Sequence, residues 1–340
     1  MFTAVQKIIS STELKEKLPL KEEFILIKQK RDKEIKDILS GKDQRKLLII
    51  GPCSADNEDA VCNYCSILSR IAQEVNDKLL IVPRLYTTKP RSKGNRYRGM
   101  LHTPNSTQMT ADFNKGIYSS RKLMIKVLEE SGLSGADEML YPENYKFFDD
   151  LLSYVTVGSR SSENQQHRLV ASGLDVAVGI KNPMSGHLAG MLNSINVAQI
   201  PNDLIYDNCH MRTMGNPYAH AVLRGRIDCD GVLHSNYAKD DLSKLIFLYE
   251  KDKYKNRAII IDANHANSNK MPIRQADIIM EVIDELKHLS NNLVKGFMVE
   301  SYLVDGAQHP GGSVYGQSIT DGCIGIEKTR NLIYKIAEKL

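Results

Sequence analysis

Residues 46–86 read KLLIIGPCSADNEDAVCNYCSILSRIAQEVNDKLLIVPRLY, and this stretch determines the fold class. Two short, largely apolar runs, 47–50 and 79–86, enclose a segment with helical spacing, 59–75. Apolar runs without polar alternation are typical of strands that are buried on both faces, as in parallel sheets. The stretch therefore predicts a strand–helix–strand unit of an α/β protein.

The alternation of apolar runs with helical stretches continues to the C-terminus. Further runs are DEML (137–140), YVTVG (154–158), VAVGI (176–180), DLIY (203–206), HAVLR (220–224), AIIID (258–262) and GFMVE (296–300). Helical spacing recurs between them, at 116–131, 186–196, 241–249, 273–289 and 327–340. About eight strand candidates in roughly 295 residues favour a (β/α)8 TIM barrel over a doubly wound sheet. No GxGxxG follows the first strand, which argues against a dinucleotide-binding fold.

The N-terminal part of the chain has a different character. Residues 13–46 are rich in Lys and Glu, and 20–39 have the pattern of an amphipathic helix with a polar face. No linker rich in Pro, Gly or Ser interrupts the chain after residue 46. We predict an N-terminal helical arm at 1–45, packed on the main domain or on a partner subunit, and one catalytic barrel at 46–340.

Composition excludes several classes of protein. The 340 residues are 42% hydrophobic and 25% charged, and the net charge of +4 is too small and diffuse to indicate a nucleic-acid partner. No apolar run approaches the ~20 residues that span a bilayer, and the N-terminus lacks the apolar core of a secretory signal. Six cysteines in a chain of this length do not form a disulfide scaffold. We therefore expect a cytoplasmic protein without a membrane partner.

Possible metal ligands follow four of the strand or loop segments, where a barrel carries its reactive side chains. They are Cys53, His265, Glu300 and Asp321. One thiolate, one imidazole and two carboxylates suit a divalent transition metal. Taken singly, Cys53 is more simply a buried apolar residue and His265 a hydrogen-bonded loop residue. Only their coincidence at one end of a barrel favours a metal site.

Cations form a second group at the same strand ends. They are Arg84, Lys89, Arg91, Arg160, Lys181 and Arg224. Six cations at one end of a barrel repel each other unless anions lie among them, and arginine forks match phosphate and carboxylate. The group predicts a pocket for a phosphorylated, acidic small molecule. Solvated loop cations are the alternative, but Arg84 and Arg224 lie within or beside apolar strands.

Nine blocks of sequence, in order, resemble the type I 3-deoxy-D-arabino-heptulosonate-7-phosphate (DAHP) synthase family, also called phospho-2-dehydro-3-deoxyheptonate aldolases. They are IIGPCS (49–54), PRLYTTKPRS (83–92), GLSGADEML (132–140), GSRSSENQQHRLVASG (158–173), VGIKNPMSG (178–186), HAVLRG (220–225), IDANHANSNK (261–270), MVESYLVDG (298–306) and YGQSITDGC (315–323). The resemblance implies a (β/α)8 barrel that condenses phosphoenolpyruvate with erythrose 4-phosphate. The products would be DAHP and phosphate, in the first step of the shikimate pathway to aromatic amino acids.

The resemblance also assigns residues. It implies that one divalent ion per subunit, Mn, Fe, Co or Zn, is held by Cys53, His265, Glu300 and Asp321. The implied ligands of phosphoenolpyruvate are Arg84, Lys89, Ser159, Arg160, Lys181 and Arg224. Those of erythrose 4-phosphate are Lys89, Pro90, Arg91, Ser92 and Asp321. Lys89 is the candidate proton donor, His265 belongs to the catalytic set as a metal ligand, and Glu138 is predicted to orient Lys181 or a water.

Some positions depart from the family pattern. Tyr141 stands where many members carry Asp, and the segment 203–218 is shorter than the one that helps to form an aromatic amino-acid inhibitor pocket. Tyr145 and Asp175 occupy pocket positions where Pro and Ser are expected. These departures concern feedback inhibition rather than catalysis, so an aromatic amino-acid effector is an open expectation. We also expect a homodimer or homotetramer.

Three other functions compete with this interpretation. A 3-deoxy-octulosonate-8-phosphate synthase would use arabinose 5-phosphate, but it typically carries Lys-Ala-Asn-Arg-Ser where this chain has Lys-Pro-Arg-Ser (89–92). A barrel without activity would serve as an effector-binding subunit, although all the implied ligands and cations are present. A class II aldolase would bind metal without depending on phosphoenolpyruvate.

Overall fold

The computed structural model describes residues 1–90, 97–108, 110–287 and 293–340. Eight parallel strands form one sheet: β1 Lys46–Gly51, β2 Leu79–Pro83, β3 Gly135–Glu138, β4 Leu152–Val157, β5 Ala177–Lys181, β6 Ala219–Leu223, β7 Ile259–Asp262 and β8 Val294–Glu300. Their order is β2-β1-β8-β7-β6-β5-β4-β3. A parallel bridge between Arg84 and Ala136 joins the two end strands, and the Leu85 N–H donates to the Ala136 carbonyl at 2.8 Å. The predicted (β/α)8 barrel is thereby confirmed.

Helices cover the outside of the barrel, and two of them precede it. They are α1 Ser11–Lys17, α2 Glu22–Leu39, α3 Glu58–Glu74, α4 Phe113–Ser131, α5 Gln165–Ala171, α6 Leu188–Gln199, α7 Lys239–Lys251, α8 Gln275–Leu286 and α9 Ile326–Lys339. A 3-10 helix, Pro142–Phe147, occupies the place of the α-helix between β3 and β4, and another, Pro272–Arg274, precedes α8.

Three small two-stranded sheets lie outside the barrel. They pair Asp203–Tyr206 with Cys209–Arg212, Arg226–Ile227 with Leu233–His234, and Val304–Ala307 with Gln317–Ser318. The run 203–206 is therefore a strand, but it forms an antiparallel hairpin beside the barrel. Only Leu204 of its four residues is buried, so it lacks the two covered faces of a barrel strand.

The continuous apolar runs arise because each barrel strand serves two cores. In β1, Leu48 and Ile50 belong to the cluster shared with the outer helices, whereas Leu47 and Ile49 belong to the cluster inside the barrel. Successive side chains of a strand point to opposite faces, so both sets must be apolar. The period-two pattern of a half-exposed strand is therefore absent.

Helix α2 packs against the interior cluster of the barrel. Ile35, Ile38 and Leu39 at its C-terminal end are fully buried within that cluster, next to the beginnings of the strands. The Lys28 ammonium and the Asp32 carboxylate pair at 2.7 Å on the buried side of the same helix. The arm thus covers the end of the barrel opposite the strand C-termini. The division into 1–45 and 46–340 as separate units stays a prediction.

All six cysteines are free thiols. In the described parts of the chain, no helix has the length and apolar character needed to cross a membrane.

Candidate active site

Three of the predicted metal ligands meet at the C-terminal end of the barrel. The ligand atoms of Cys53, Glu300 and Asp321 all lie within 4.8 Å of one another. The Sγ of Cys53 is 3.7 Å from Oδ2 of Asp321, and the Asp321 backbone N–H donates to the same sulfur at 3.3 Å. Cys53 follows β1 and Glu300 ends β8, which pairs with β1. Burial, and then the Glu300 charge, raise the pKa of the Cys53 thiol to about 11, so a nearby cation would be needed to stabilise its thiolate form. Two carboxylates and a thiolate this close would repel one another, so a divalent transition metal fits these donors.

The fourth predicted ligand, His265, lies beside this cluster. Its Nε2 is 3.9 Å from Oε1 of Glu300, and its Nδ1 is 2.9 Å from Oδ2 of Asp262. Burial lowers the pKa of His265, although the Asp262 charge opposes this shift. The imidazole is therefore neutral, as a metal ligand must be. Its backbone is left-handed, with φ at 57°, and the Lys270 N–H closes the loop onto the His265 carbonyl at 2.8 Å.

Glu300 is held by groups from three other segments. The Arg84 Nη2 donates to Oε1 at 3.1 Å, and the Asn264 Nδ2 donates to Oε2 at 2.5 Å. The Gln275 Oε1 accepts from the Glu300 backbone N–H at 2.8 Å. Burial raises the pKa of Glu300, but the charges of His265, Arg84 and Lys89 lower it by more. The net pKa is below its usual value, so the carboxylate is ionised. These contacts fix the position of the Glu300 carboxylate, as the partners of a metal-binding carboxylate do.

Arg84 is both a partner of Glu300 and a candidate anion ligand. Its guanidinium is fully buried and lies over the Tyr86 ring, 3.9 Å from the ring centre. The Nη1 has no hydrogen-bond partner among the described residues. A buried guanidinium N–H without an acceptor costs folding free energy, so this N–H group could donate a hydrogen bond to an anionic group of a substrate.

Arg224 and Lys181 contribute buried positive charge next to the same cluster. The Nε and Nη1 of Arg224 find no acceptor in the described part of the chain, and the side chain is almost fully buried. Burial and the neighbouring charge of Arg160 lower the pKa of Arg224, while Asp262 opposes this. Lys181 pairs with Asp262 at 2.8 Å. The N–H groups of Arg224 without a described acceptor could donate to a phosphate or carboxylate of an anionic ligand.

Lys89 directs positive charge toward the donor cluster. Burial lowers its pKa, but the charges of Cys53, Glu300 and Asp321 raise it more, and the net direction is upward. No described carboxylate lies within ion-pair distance of its ammonium. Lys89 is therefore a protonated, almost fully buried group next to the possible metal ligands.

Glu138 ends β3 on the same side of the barrel, with its side chain largely buried. A Cβ on Gly158 would come within 2.1 Å of its Oε1, so this glycine leaves the space that the carboxylate occupies. The Lys181 ammonium is instead oriented by Asp262, at 2.8 Å. The predicted action of Glu138 on Lys181 or on a water stays a prediction.

The other predicted site residues lie at the same end. Ser159 and Arg160 follow β4, half-buried and exposed respectively, and Pro90 is half-buried in the segment after β2. Arg91 and Ser92 lie outside the described residues.

Asp262 is the last residue of the apolar run 258–262, and the sequence pattern assigns it no role. The structure shows that it contacts both Lys181 and His265. Asn264 and Gln275, which hold Glu300, were not considered. A signal existed for Asp262, because a carboxylate that ends a buried strand needs a partner. Nothing in the local sequence distinguishes Asn264 or Gln275 from ordinary polar residues.

Fold and site together define a class. The chain is a (β/α)8 barrel protein whose strand C-termini gather thiol, imidazole and carboxylate donors beside buried cations, as barrel enzymes do. A model of the DAHP synthetase I family matches residues 19–333, and the chain belongs to that family. The resemblance found in the nine sequence blocks is thus confirmed, and the class of enzyme is one that forms a carbon–carbon bond.

Known proteins of the same family align over most of the chain. A phospho-2-dehydro-3-deoxyheptonate aldolase of Haemophilus influenzae is 33% identical, covering 98% of this chain and 92% of that protein. The Tyr-sensitive enzyme of that name from Escherichia coli is 32% identical, covering 91% and 86%. The solved structure of the Francisella tularensis enzyme of that name superposes with a TM-score of 0.93 at 28% identity, covering 100% of this chain and 98% of that one.

Proposed function

We propose that this protein catalyses the metal-dependent condensation of phosphoenolpyruvate with erythrose 4-phosphate, releasing DAHP and phosphate. One observation carries the proposal. In a chain of this family, thiol and carboxylate ligand atoms that lie within 4.8 Å of one another are found next to Arg224. Two buried N–H groups of Arg224 have no hydrogen-bond acceptor among the described residues. The donors suit a metal and the cations suit phosphoenolpyruvate, which carries a phosphate and a carboxylate.

Cys53, His265, Glu300 and Asp321 would hold the divalent ion. When bound, it supplies Lewis acidity toward the aldehyde oxygen of erythrose 4-phosphate. The donor set accepts Mn, Fe, Co or Zn, and metal supply in the cell then decides among them.

The residues of the chain bind, orient and move protons. Arg84, Arg160, Lys181 and Arg224 neutralise the phosphate and carboxylate of phosphoenolpyruvate and orient its C3 toward the aldehyde, with Ser159 beside them. Asp262 holds the ammonium of Lys181 in this arrangement. The phosphate of erythrose 4-phosphate is assigned to the 89–92 segment.

Proton transfer is assigned to Lys89. As C3 of phosphoenolpyruvate bonds to the aldehyde carbon, the carbonyl electrons pass to its oxygen, and the Lys89 ammonium protonates that oxygen. Water adds at C2, and breakage of the C2–O bond releases inorganic phosphate. The raised pKa of Lys89 keeps it protonated before the reaction.

The test is phosphate release from phosphoenolpyruvate by the purified chain, with metal added or chelated. Metal-dependent release with erythrose 4-phosphate alone is the expected result. Release only with arabinose 5-phosphate would instead identify the protein as a 3-deoxy-octulosonate-8-phosphate synthase. No release with either sugar from folded, metal-loaded protein would refute the catalytic proposal.

We also propose an aromatic amino acid as an effector. Tyr145, Asp175 and much of 204–218 line one cavity of about 640 Å³ on the side of the barrel. The Tyr145 hydroxyl donates to Asp175 at 2.6 Å within it. Apolar and charged groups share the lining, which suits a zwitterion with a ring. The Tyr-sensitive name of the Escherichia coli relative supports this choice. Calorimetric titration with Phe, Tyr and Trp tests it, and absence of binding by all three would refute it.

Assembly and location complete the proposal. Met1, Phe2 and Val5 are fully exposed apolar residues in the first segment of the arm, and a second copy of the chain could cover them. Light scattering of the protein as it elutes from a size-exclusion column would give the mass of a homodimer or a homotetramer. The free thiol of Cys53 must stay reduced to bind metal, so we place the enzyme in the cytoplasm.

A further inference from the structure

Asp137, a buried side chain of strand β3, holds the segment that carries Lys89. The Thr88 hydroxyl of that segment donates to the Glu138 carbonyl of the same strand at 2.9 Å. Oδ1 of Asp137 accepts the backbone N–H of Thr87 at 2.9 Å, and its Oδ2 accepts the Thr87 hydroxyl at 2.5 Å. The backbone N–H of Glu138 also donates to Oδ1, at 2.7 Å. Only 5% of Asp137 is exposed. Two of its three hydrogen bonds therefore go to a residue two positions before Lys89.

A carboxylate in this position is expensive. Burial raises the pKa of Asp137 to about 7, although the hydrogen bonds from Thr87 and Glu138 oppose the shift. Among the residues that the structure describes, none with a positive charge forms an ion pair with it. A buried carboxylate without a positive partner lowers the stability of a fold, so its presence suggests that its hydrogen bonds have a function. The contacts of Asp137 indicate that this function is to hold Thr87.

The backbone around Lys89 is held from the opposite side as well. The Lys89 N–H donates to the Arg98 carbonyl at 2.9 Å, and the Leu101 N–H donates to the Thr87 carbonyl at 3.0 Å. Gly99 permits this approach, because a Cβ there would lie 2.2 Å from the Thr87 carbonyl oxygen. The segment is thus held between 97–101 and β3, and on the β3 side Asp137 is the side chain of that strand that anchors it.

We propose that Asp137 is a positioning residue that sets the place of Lys89 in the site. This inference rests on the proposed function, since it gives the purpose of a fixed Lys89. Asp137 touches no predicted metal ligand and acts only through Thr87. The geometry of its hydrogen bonds, rather than its charge, is what positions the lysine.

Two variants of Asp137 separate geometry from charge. In Asp137→Asn, the amide oxygen keeps both backbone donors, and the amide nitrogen can donate to the Thr87 hydroxyl oxygen. In Asp137→Ala, all three bonds are lost. Ser134→Ala is the matched control, because it breaks a buried bond of 2.6 Å between Ser134 and Ser153 just before the same strand without touching the Lys89 segment.

Two measurements are made on each purified, metal-loaded protein. The first is steady-state phosphate release, with kcat and KM for both substrates. We expect Asp137→Ala to lower kcat by about ten- to 100-fold, the usual cost of a misplaced catalytic group. Asp137→Asn and Ser134→Ala should stay within about threefold of the wild type, because the Lys89 segment keeps its anchor.

The second measurement is amide hydrogen exchange in the peptide around Thr87 and Lys89, which does not depend on any reaction. Faster exchange there in Asp137→Ala, but not in the other two variants, is expected. Unchanged exchange together with unchanged kcat in Asp137→Ala would overturn the inference, as would Asp137→Asn behaving like Asp137→Ala. If the wild type releases no phosphate, the proposed function fails, and the exchange data still decide whether Asp137 holds the segment.

Discussion

The Lys181 ammonium lies 2.8 Å from Oδ2 of Asp262, and both side chains are buried. The same carboxylate oxygen lies 2.9 Å from Nδ1 of His265. One residue at the end of β7 therefore contacts both a cation assigned to the substrate and an imidazole proposed as a metal ligand. Outer partners of this kind set the direction and basicity of metal-binding histidines.

We expect Asp262→Asn to lower metal affinity by about ten- to 100-fold, because His265 loses its charged partner. The KM for phosphoenolpyruvate should rise as well, because Lys181 is left buried without a counter-ion. Metal titration of the apoprotein and steady-state kinetics check this. Asp228→Asn is the control, since it alters a carboxylate–imidazole pair with His234 in an outlying hairpin, at 2.6 Å. Wild-type metal affinity in Asp262→Asn would show that His265 needs no such partner.

Cys53→Ser is expected to remove bound metal and to lower activity by more than about 100-fold, because a serine hydroxyl is a poor substitute for a thiolate ligand. The fold should persist, since serine nearly matches the size of the buried Cys53 side chain and leaves little empty space in the core cluster to which it belongs. Metal content after dialysis and circular dichroism give the two readouts. Cys62→Ala, on helix α3, is the matched control. A Cys53→Ser protein that is fully active after chelation would eliminate the metal assignment.

Arg224→Ala separates binding from stability. Loss of a buried cation assigned to phosphoenolpyruvate should raise the KM for this substrate at least about thirtyfold. The free energy of unfolding should hold or increase, because Arg224 is buried with two nitrogens that lack described acceptors. Calorimetric binding and thermal unfolding measure both quantities, with Arg168→Ala, at a half-buried arginine on helix α5, as control. An unchanged KM would remove Arg224 from the substrate site.

Stability at mildly acidic pH should depend on His220. Its Nε2 is 2.7 Å from the Tyr154 hydroxyl and its Nδ1 is 2.8 Å from the Tyr218 carbonyl, so the ring is neutral in the fold. Burial lowers the pKa of His220 from 6.5 to about 4, although the Tyr218 carbonyl opposes this. Between these values the unfolded chain binds a proton that the folded chain does not. The free energy of unfolding should therefore decrease as the pH is lowered from about 6.5 to about 4. The total loss at the lower end of this window is roughly 3 kcal/mol.

Urea unfolding between about pH 7 and pH 5 tests this for the wild type and for His220→Gln, which cannot take up the proton. The variant should lose less stability than the wild type on acidification. Parallel curves for the two proteins would show that His220 does not control the acid response.

Much of the architecture could be predicted from local pattern. The helix predicted at 59–75 is found as Glu58–Glu74, and the one predicted at 20–39 as Glu22–Leu39. These elements follow from apolar periodicity, which local chain geometry imposes. The run 203–206 shows the limit of this reasoning. Its letters resemble a barrel strand, but its partner is the adjacent strand of a hairpin, and no local feature reveals that choice.

The sequence by itself determined the strand–helix alternation, the closed-barrel class and the residue types at each strand end. Tertiary structure alone decided which of those side chains touch: that Asp262 joins Lys181 to His265, that Arg84 pairs with Glu300, and that Asp137 anchors Thr87. The physical reason is that closure of the barrel brings together strand ends distant in sequence. Their contacts then depend on register and side-chain conformation, which spacing along the chain does not encode.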